Sequence, residues 1–188
     1  NATMSIISVI NHIKTQKDDA QLISYDFSKA FDKTLPQVTN CIIRHIFPNG
    51  ELASAIINLT NGGRFRAMAN GAFSIFYSIT IGSGQGDPYS STKFLPLNHI
   101  FVACLRSPRF HSITYKVNNQ CIEPGSFADD NWQFNIFKSN AQVNELKSLL
   151  LRLKQSIGLE INFSKTKILV HGNYPDSLNS LGKVCNQF

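Results

Sequence analysis

Metal-binding cysteine pairs are missing from this sequence. Its four cysteines, Cys41, Cys104, Cys121 and Cys185, lie far apart, with no C-x-x-C step, and its five histidines fall at no ligand spacing. That excludes a cysteine-based zinc site and argues against a disulfide framework. The thiols are expected to be reduced and partly buried, as in an intracellular protein. Long apolar runs are also absent: nothing approaches the roughly 20 residues of a membrane helix, and no secretory leader is evident. Repeats, low-complexity tracts and a Pro/Ser-rich linker are lacking too, which favours one domain. Acidic residues are few, 12 against 18 Lys and Arg, and the net charge of +6 tilts the chain toward a polyanionic partner.

Apolar residues, by contrast, are plentiful. At 43% hydrophobic with 14 Phe, the 188 residues can bury a substantial core. The opening "NATMSIISVINHI" already has helical spacing, with Met4, Ile7, Ile10 and Ile13 three apart, and predicts a helix over 2–16. With no initiating Met before it, the chain reads as a piece of a longer protein.

"AQLISYDF" predicts a strand ending at Asp26, and Pro36 can open a helix that runs to about Phe47. A further helix is expected from Gly50 to Leu59. Asn70-Gly71 between two strand-like runs marks a two-residue hairpin. Asp87 and Pro88 suit the cap and first residue of another helix, which Pro96 is expected to break or kink at a cost of about 3 kcal/mol. Val143, Leu146, Leu150, Leu153 and Ile157 mark one helix face ended by Gly158. "LEINF" and "KILV" read as closing strands. Helices and strands in irregular alternation, with hairpins, make the fold class α+β.

The chemistry centres on "GSFADDNWQF". Asp129 and Asp130 are adjacent carboxylates, which repel each other unless something positive stands between them. Taken alone they suit a solvated hairpin tip, where Asp is an ordinary turn residue. With Asp26 at the end of a strand that could neighbour this hairpin, three carboxylates would converge at one sheet edge. Hard oxygen donors of that kind suit Mg²⁺.

Four segments, "YDFSKAFD" (25–32), "GSGQGDPYS" (82–90), "FADD" (127–130) and "GLEINFSKTK" (158–167), occur in this order. Together they resemble the reverse transcriptase domain of non-LTR (LINE-type) retrotransposons across residues 22–169. The "QGDP" form resembles that branch more than retroviral or group II intron enzymes. The resemblance implies a palm-type fold with partial fingers, a mixed and mainly antiparallel sheet backed by helices. Residues 1–188 would be a partial domain lacking the N-terminal fingers, the thumb and any endonuclease. It implies RNA-directed DNA synthesis from deoxynucleoside triphosphates on an RNA template and DNA primer, with two Mg²⁺ ions (Mn²⁺ a substitute) and action in the nucleus.

Carried over residue by residue, Asp26 and Asp129 match the metal-binding aspartates, with the backbone carbonyl of Phe27 as an extra ligand and Asp130 in support. Phe31 matches the aromatic gate beneath the incoming sugar. Gln85 and Gly86 match the loop against the nascent pair, and Lys165 a lysine that approaches the triphosphate. Read without the resemblance, Phe31 suits a core aromatic and Lys165 a solvated face equally well. Pro96, Asn98, His99 and Trp132 depart from the pattern. They point to the alternative, a catalytically inactive nucleic-acid-binding remnant; a metal-dependent nuclease on the same carboxylates is a third reading.

Overall fold

The computed structural model describes residues 2–29, 32–33, 35–61, 66–76 and 90–185. Helix α1 (Ala2–Gln16) leads into strand β1 (Ala20–Tyr25), followed by helices α2 (Pro36–Ile46) and α3 (Gly50–Asn61) and a small hairpin, β2 (Met68–Ala69) and β3 (Ala72–Phe73). Then come helix α4 (Ser90–Leu105), a hairpin of β4 (Lys116–Val117) and β5 (Gln120–Cys121), and a second hairpin of β6 (Gly125–Phe127) and β7 (Asp130–Asn135). Helix α5 (Asn140–Ile157), strand β8 (Lys167–His171), a 3-10 turn (Asp176–Ser180) and strand β9 (Lys183–Cys185) complete the order. The fold is α+β, as its sequence pattern implies.

One five-stranded sheet, in the order β6-β7-β1-β8-β9, organises the molecule. Its ladders are antiparallel except for the parallel pair β8–β9. Side chains alternate across β1. Ile23, Tyr25 and the following Phe27 join Ile168 and Val170 under helices α4 and α5, which contribute Phe94, Phe101, Val143, Leu146 and Leu150. Leu22 and Phe134 point the other way, against Val9 and Ile13 of α1 and against Tyr115. Further along that second face Ser24 and Lys167, opposite each other in register, are both exposed. Helices thus close one face of the sheet, while the second face is open at the end where β1 stops.

Local chemistry explains most element boundaries. Ser139 caps α5 by accepting the Gln142 N–H at 3.4 Å, and Gly158 ends it with φ 76°. Asn70 and Gly71, at φ 50° and 78°, make the expected two-residue turn, although only two residues pair on each side. Asn118 and Asn119, at φ 50° and 65°, build a similar turn between β4 and β5 that the sequence reading missed.

Several expectations are corrected. Among the described side chains of α1 the buried ones are Val9 and Ile13, with Ile6 and Ile10 beside them, while Ile7 is 53% exposed; the expectation for Met4 lies outside the described side chains. Helix α3 runs two residues past Leu59. Pro96 does not break α4, which continues to Leu105. Burial of Phe94, Leu97, Phe101 and Leu105 on that helix outweighs one lost backbone hydrogen bond. "LEINF" is not a strand. Only Ile161 bridges to Phe27, because the chain then turns, with the Asn162 carbonyl accepting from the N–H groups of Lys165 and Thr166. Cys41 is exposed, although the four thiols are free as expected. The start of α4 proposed at Asp87 and Pro88 lies outside the described residues.

Trp132 has a structural reason. Its indole lies over Gly125, its partner in the β6–β7 register, where an added Cβ would come within 2.2 Å of the ring. The bulky ring and the missing side chain are one packing unit. Gly125→Ala is therefore expected to cost about 1–3 kcal/mol by overpacking, and Gly125→Ala with Trp132→Leu should recover much of that in urea denaturation.

Candidate active site

Asp26 follows the last residue of β1 and is held by its backbone. Its N–H donates to Thr166 Oγ1 at 3.2 Å, and its carbonyl accepts the Asn162 N–H at 2.7 Å. Both partners belong to the turn that leads into β8. The next residue is anchored on the helical side: the Phe27 ring meets Phe94 and Phe101 edge-on at 5.6 and 5.1 Å. Strand alternation then directs Asp26 to the same face as Leu22 and Ser24, on the open part of the sheet. Because Phe27 and Ile161 form a pair that exchanges no hydrogen bonds, the Phe27 carbonyl is turned the other way, toward the β6–β7 hairpin.

That hairpin has a two-residue tip, Ala128 and Asp129, closed by the pair Phe127–Asp130. Ala128 adopts φ 55°, a left-handed conformation that costs a non-glycine residue about 1 kcal/mol. In the ladder with β1, Tyr25 stands opposite Asn131. The ladder ends there; continued by one step, the same register would set Asp26 level with Asp130. Asp129 falls at the tip, level with Phe27. Asp129 and Asp130 are exposed and Asp26 is half-buried. By strand alternation Asp130 shares the face of Trp132 and Phe134, the same side of the sheet as Asp26.

Among the described residues, no group of three or more His, Cys, Asp or Glu side chains is placed to hold a metal ion, so the expected convergence of Asp26, Asp129 and Asp130 is not formed. The donor set nevertheless fits Mg²⁺, which keeps several waters and is commonly held by one or two carboxylates plus substrate phosphates. Lys165 is exposed within the Asn162–Thr166 turn that grips the Asp26 backbone. Phe31, Gln85 and Gly86 lie outside the described residues.

Sequence reasoning missed the residues that support this end of the sheet. Thr166 is fully buried and its hydroxyl has the Asp26 N–H as a partner. A buried threonine between lysines was the available signal, because such a hydroxyl requires a partner. Glu160 was missed as well. Its carboxylate pairs with Lys154 at 2.6 Å and with Lys33, while its backbone carbonyl accepts the Ser28 N–H at 2.8 Å. It therefore ties the segment after Asp26 to the end of α5.

Hydrogen bonds from Lys154 and then Lys33 hold the Glu160 carboxyl below its ordinary value of 4.5. A lowered folded-state value contributes stability above the unfolded value and loses it as pH falls. The stability difference between this chain and Glu160→Gln should accordingly be full at neutral pH and shrink below about pH 4.5. Urea titrations across that range check it; both lysines are half exposed, so the difference should also shrink in high salt.

No protein-family model and no curated protein matches this chain. Among solved structures, it is similar to apo telomerase from Candida tropicalis truncated from its C-terminal domain, with a TM-score of 0.65 at 13% identity. The match covers 93% of this chain and 36% of the telomerase chain, so this chain spans about a third of that chain's length. Over that stretch the chain shares the fold of the telomerase structure. Among the described residues, no helix is long and apolar enough to cross a membrane.

Proposed function

We propose that this chain is the palm-centred part of a LINE-type reverse transcriptase, adding deoxynucleotides to a DNA primer on an RNA template. The observation that carries the proposal is the antiparallel pairing of β1 with β7, which brings the strand that ends before Asp26 beside the hairpin that carries Asp129 and Asp130. The likeness to telomerase supports the polymerase-like fold, and the four ordered motifs support the LINE-type branch.

In this reading Asp26 and Asp129 would hold two Mg²⁺ ions, with the Phe27 carbonyl and Asp130 assisting. When bound, such ions supply activation of the primer hydroxyl and neutralise charge on the leaving oxygens. The primer 3′-oxygen attacks the α-phosphate of the incoming nucleotide. A new ester forms, the bond to the bridging oxygen breaks, and pyrophosphate departs. Lys165 can give that leaving group a proton. Phe31, Gln85 and Gly86, which lie outside the described residues, would take the sugar-gate and template-loop roles that the motif resemblance implies. The twofold backbone grip on Asp26 fixes its position before substrate arrives, and positioning is most of what phosphoryl transfer asks of a protein.

The test is dTTP incorporation on a poly(rA)/oligo(dT) substrate with Mg²⁺, against the same reaction with EDTA. Metal-dependent incorporation supports the proposal. RNA binding without incorporation supports a binding remnant, and metal-dependent cleavage without nucleotides supports a nuclease.

A further inference from the structure

Asn98 reads in the sequence as a polar interruption of an apolar helix. In the fold it is 2% exposed on α4, where it faces the β6–β7 hairpin. Its Nδ2 donates to Ser126 Oγ at 2.7 Å and to the Ala128 carbonyl at 2.8 Å. One buried amide thus holds both the strand before the tip and the first tip residue, the one that adopts φ 55°. From the other side, Asn131 Nδ2 donates to the Asp129 carbonyl at 3.1 Å. The peptide units on both sides of Asp129 are therefore fixed by asparagine side chains.

The arrangement is not the one that maximises stability. Asn98 Oδ1 and Asn131 Oδ1 are buried without a hydrogen-bond partner, and such acceptors lose hydration with no return. Leucine at position 98 would extend the apolar surface of Phe94, Leu97 and Phe101. The effect of the Asn98 amide falls instead on the conformation of the tip, a strained turn that carries an exposed carboxylate.

We infer that Asn98 is a positioning residue: it clamps the Ala128–Asp129 tip so that Asp129 and Asp130 are held in one fixed geometry beside the end of β1. This inference rests on the proposed function for its purpose, but the clamp can be measured without any metal or substrate. In the metal-free chain, Asn98→Leu should raise amide hydrogen exchange at Asp129 and Asp130 about tenfold and leave Leu22 to Ser24 within about twofold. Ser126→Ala, at an exposed site that tolerates truncation, removes one of the two bonds and should give a smaller rise. It keeps the test valid if Asn98→Leu misfolds. Mn²⁺ binding, followed by water-proton relaxation, should weaken about tenfold in Asn98→Leu.

Unchanged hairpin exchange in the variants overturns the clamp. Faster exchange with unchanged Mn²⁺ affinity overturns the positioning role. If the unaltered chain binds no Mn²⁺, the proposed metal site fails and the positioning role with it, while the exchange data still decide the clamp.

Discussion

Asp129→Asn is expected to abolish templated nucleotide addition, by about a thousandfold or more, while leaving the unfolding transition in place. The size follows from the proposed function: Asp129 would be one of the metal-binding carboxylates, and such ions would supply several kcal/mol of transition-state stabilisation, with each 1.4 kcal/mol about tenfold in rate. The silence in stability follows from the site. Asp129 is exposed at the hairpin tip, and the bond from Asn131 goes to its backbone carbonyl, which Asn keeps. Losing one of two adjacent like charges removes repulsion and costs no packing. Circular dichroism and thermal melting would verify the fold, and primer extension the loss. Addition retained at more than a tenth of the parent rate would sink the mechanism.

Phe101→Ala should have the largest effect on stability, a loss of about 3–5 kcal/mol. Phe101 is fully buried and its ring meets Tyr25 at 5.2 Å and Phe27 at 5.1 Å, both edge-on. It stands directly behind the strand that delivers Asp26. Tyr25 is itself buried, its hydroxyl donates to Gln133 Oε1 at 3.0 Å, and burial pushes its ionisation far above the ordinary range. It therefore stays a neutral donor, committed to Gln133. Equilibrium urea denaturation measures the loss. A change below about 1 kcal/mol would mean that α4 collapses onto the sheet freely and does not brace the Asp26 end.

Much of this fold was legible because the decisive signals were local. Asn70-Gly71, the leucine stripe of α5 and Gly158 each act within one turn of chain, and each formed the expected element. Pairings between distant segments were less legible. The alternating apolar pattern of "AQLISY" marks a strand, but nothing in it states that Tyr25 meets Asn131, which is what brings the end of β1 beside the hairpin of Asp129 and Asp130. "LEINF" has strand-like composition, yet the turn from Asn162 to Thr166 takes its place because it supplies both hydrogen bonds to the Asp26 backbone. Strand β9 is three residues long and pairs in parallel, too brief for alternation to mark it. Asn98 and Trp132 read as departures from an apolar pattern, and each became intelligible only with its partner: the hairpin carbonyl for one, Gly125 for the other. The aspartates themselves were found by type and order, since carboxylates at strand ends carry chemistry that composition alone does not.

The most direct measurement for the central claim is paramagnetic broadening of amide resonances as Mn²⁺ is added to the intact chain. The amides of Asp26, Phe27 and Ala128 to Asn131 are expected to broaden first, while those at the opposite end of the sheet, Ala20 and His171, keep their intensity. Broadening spread evenly over the exposed carboxylates, or centred away from the β1 and β6–β7 ends, would contradict that claim.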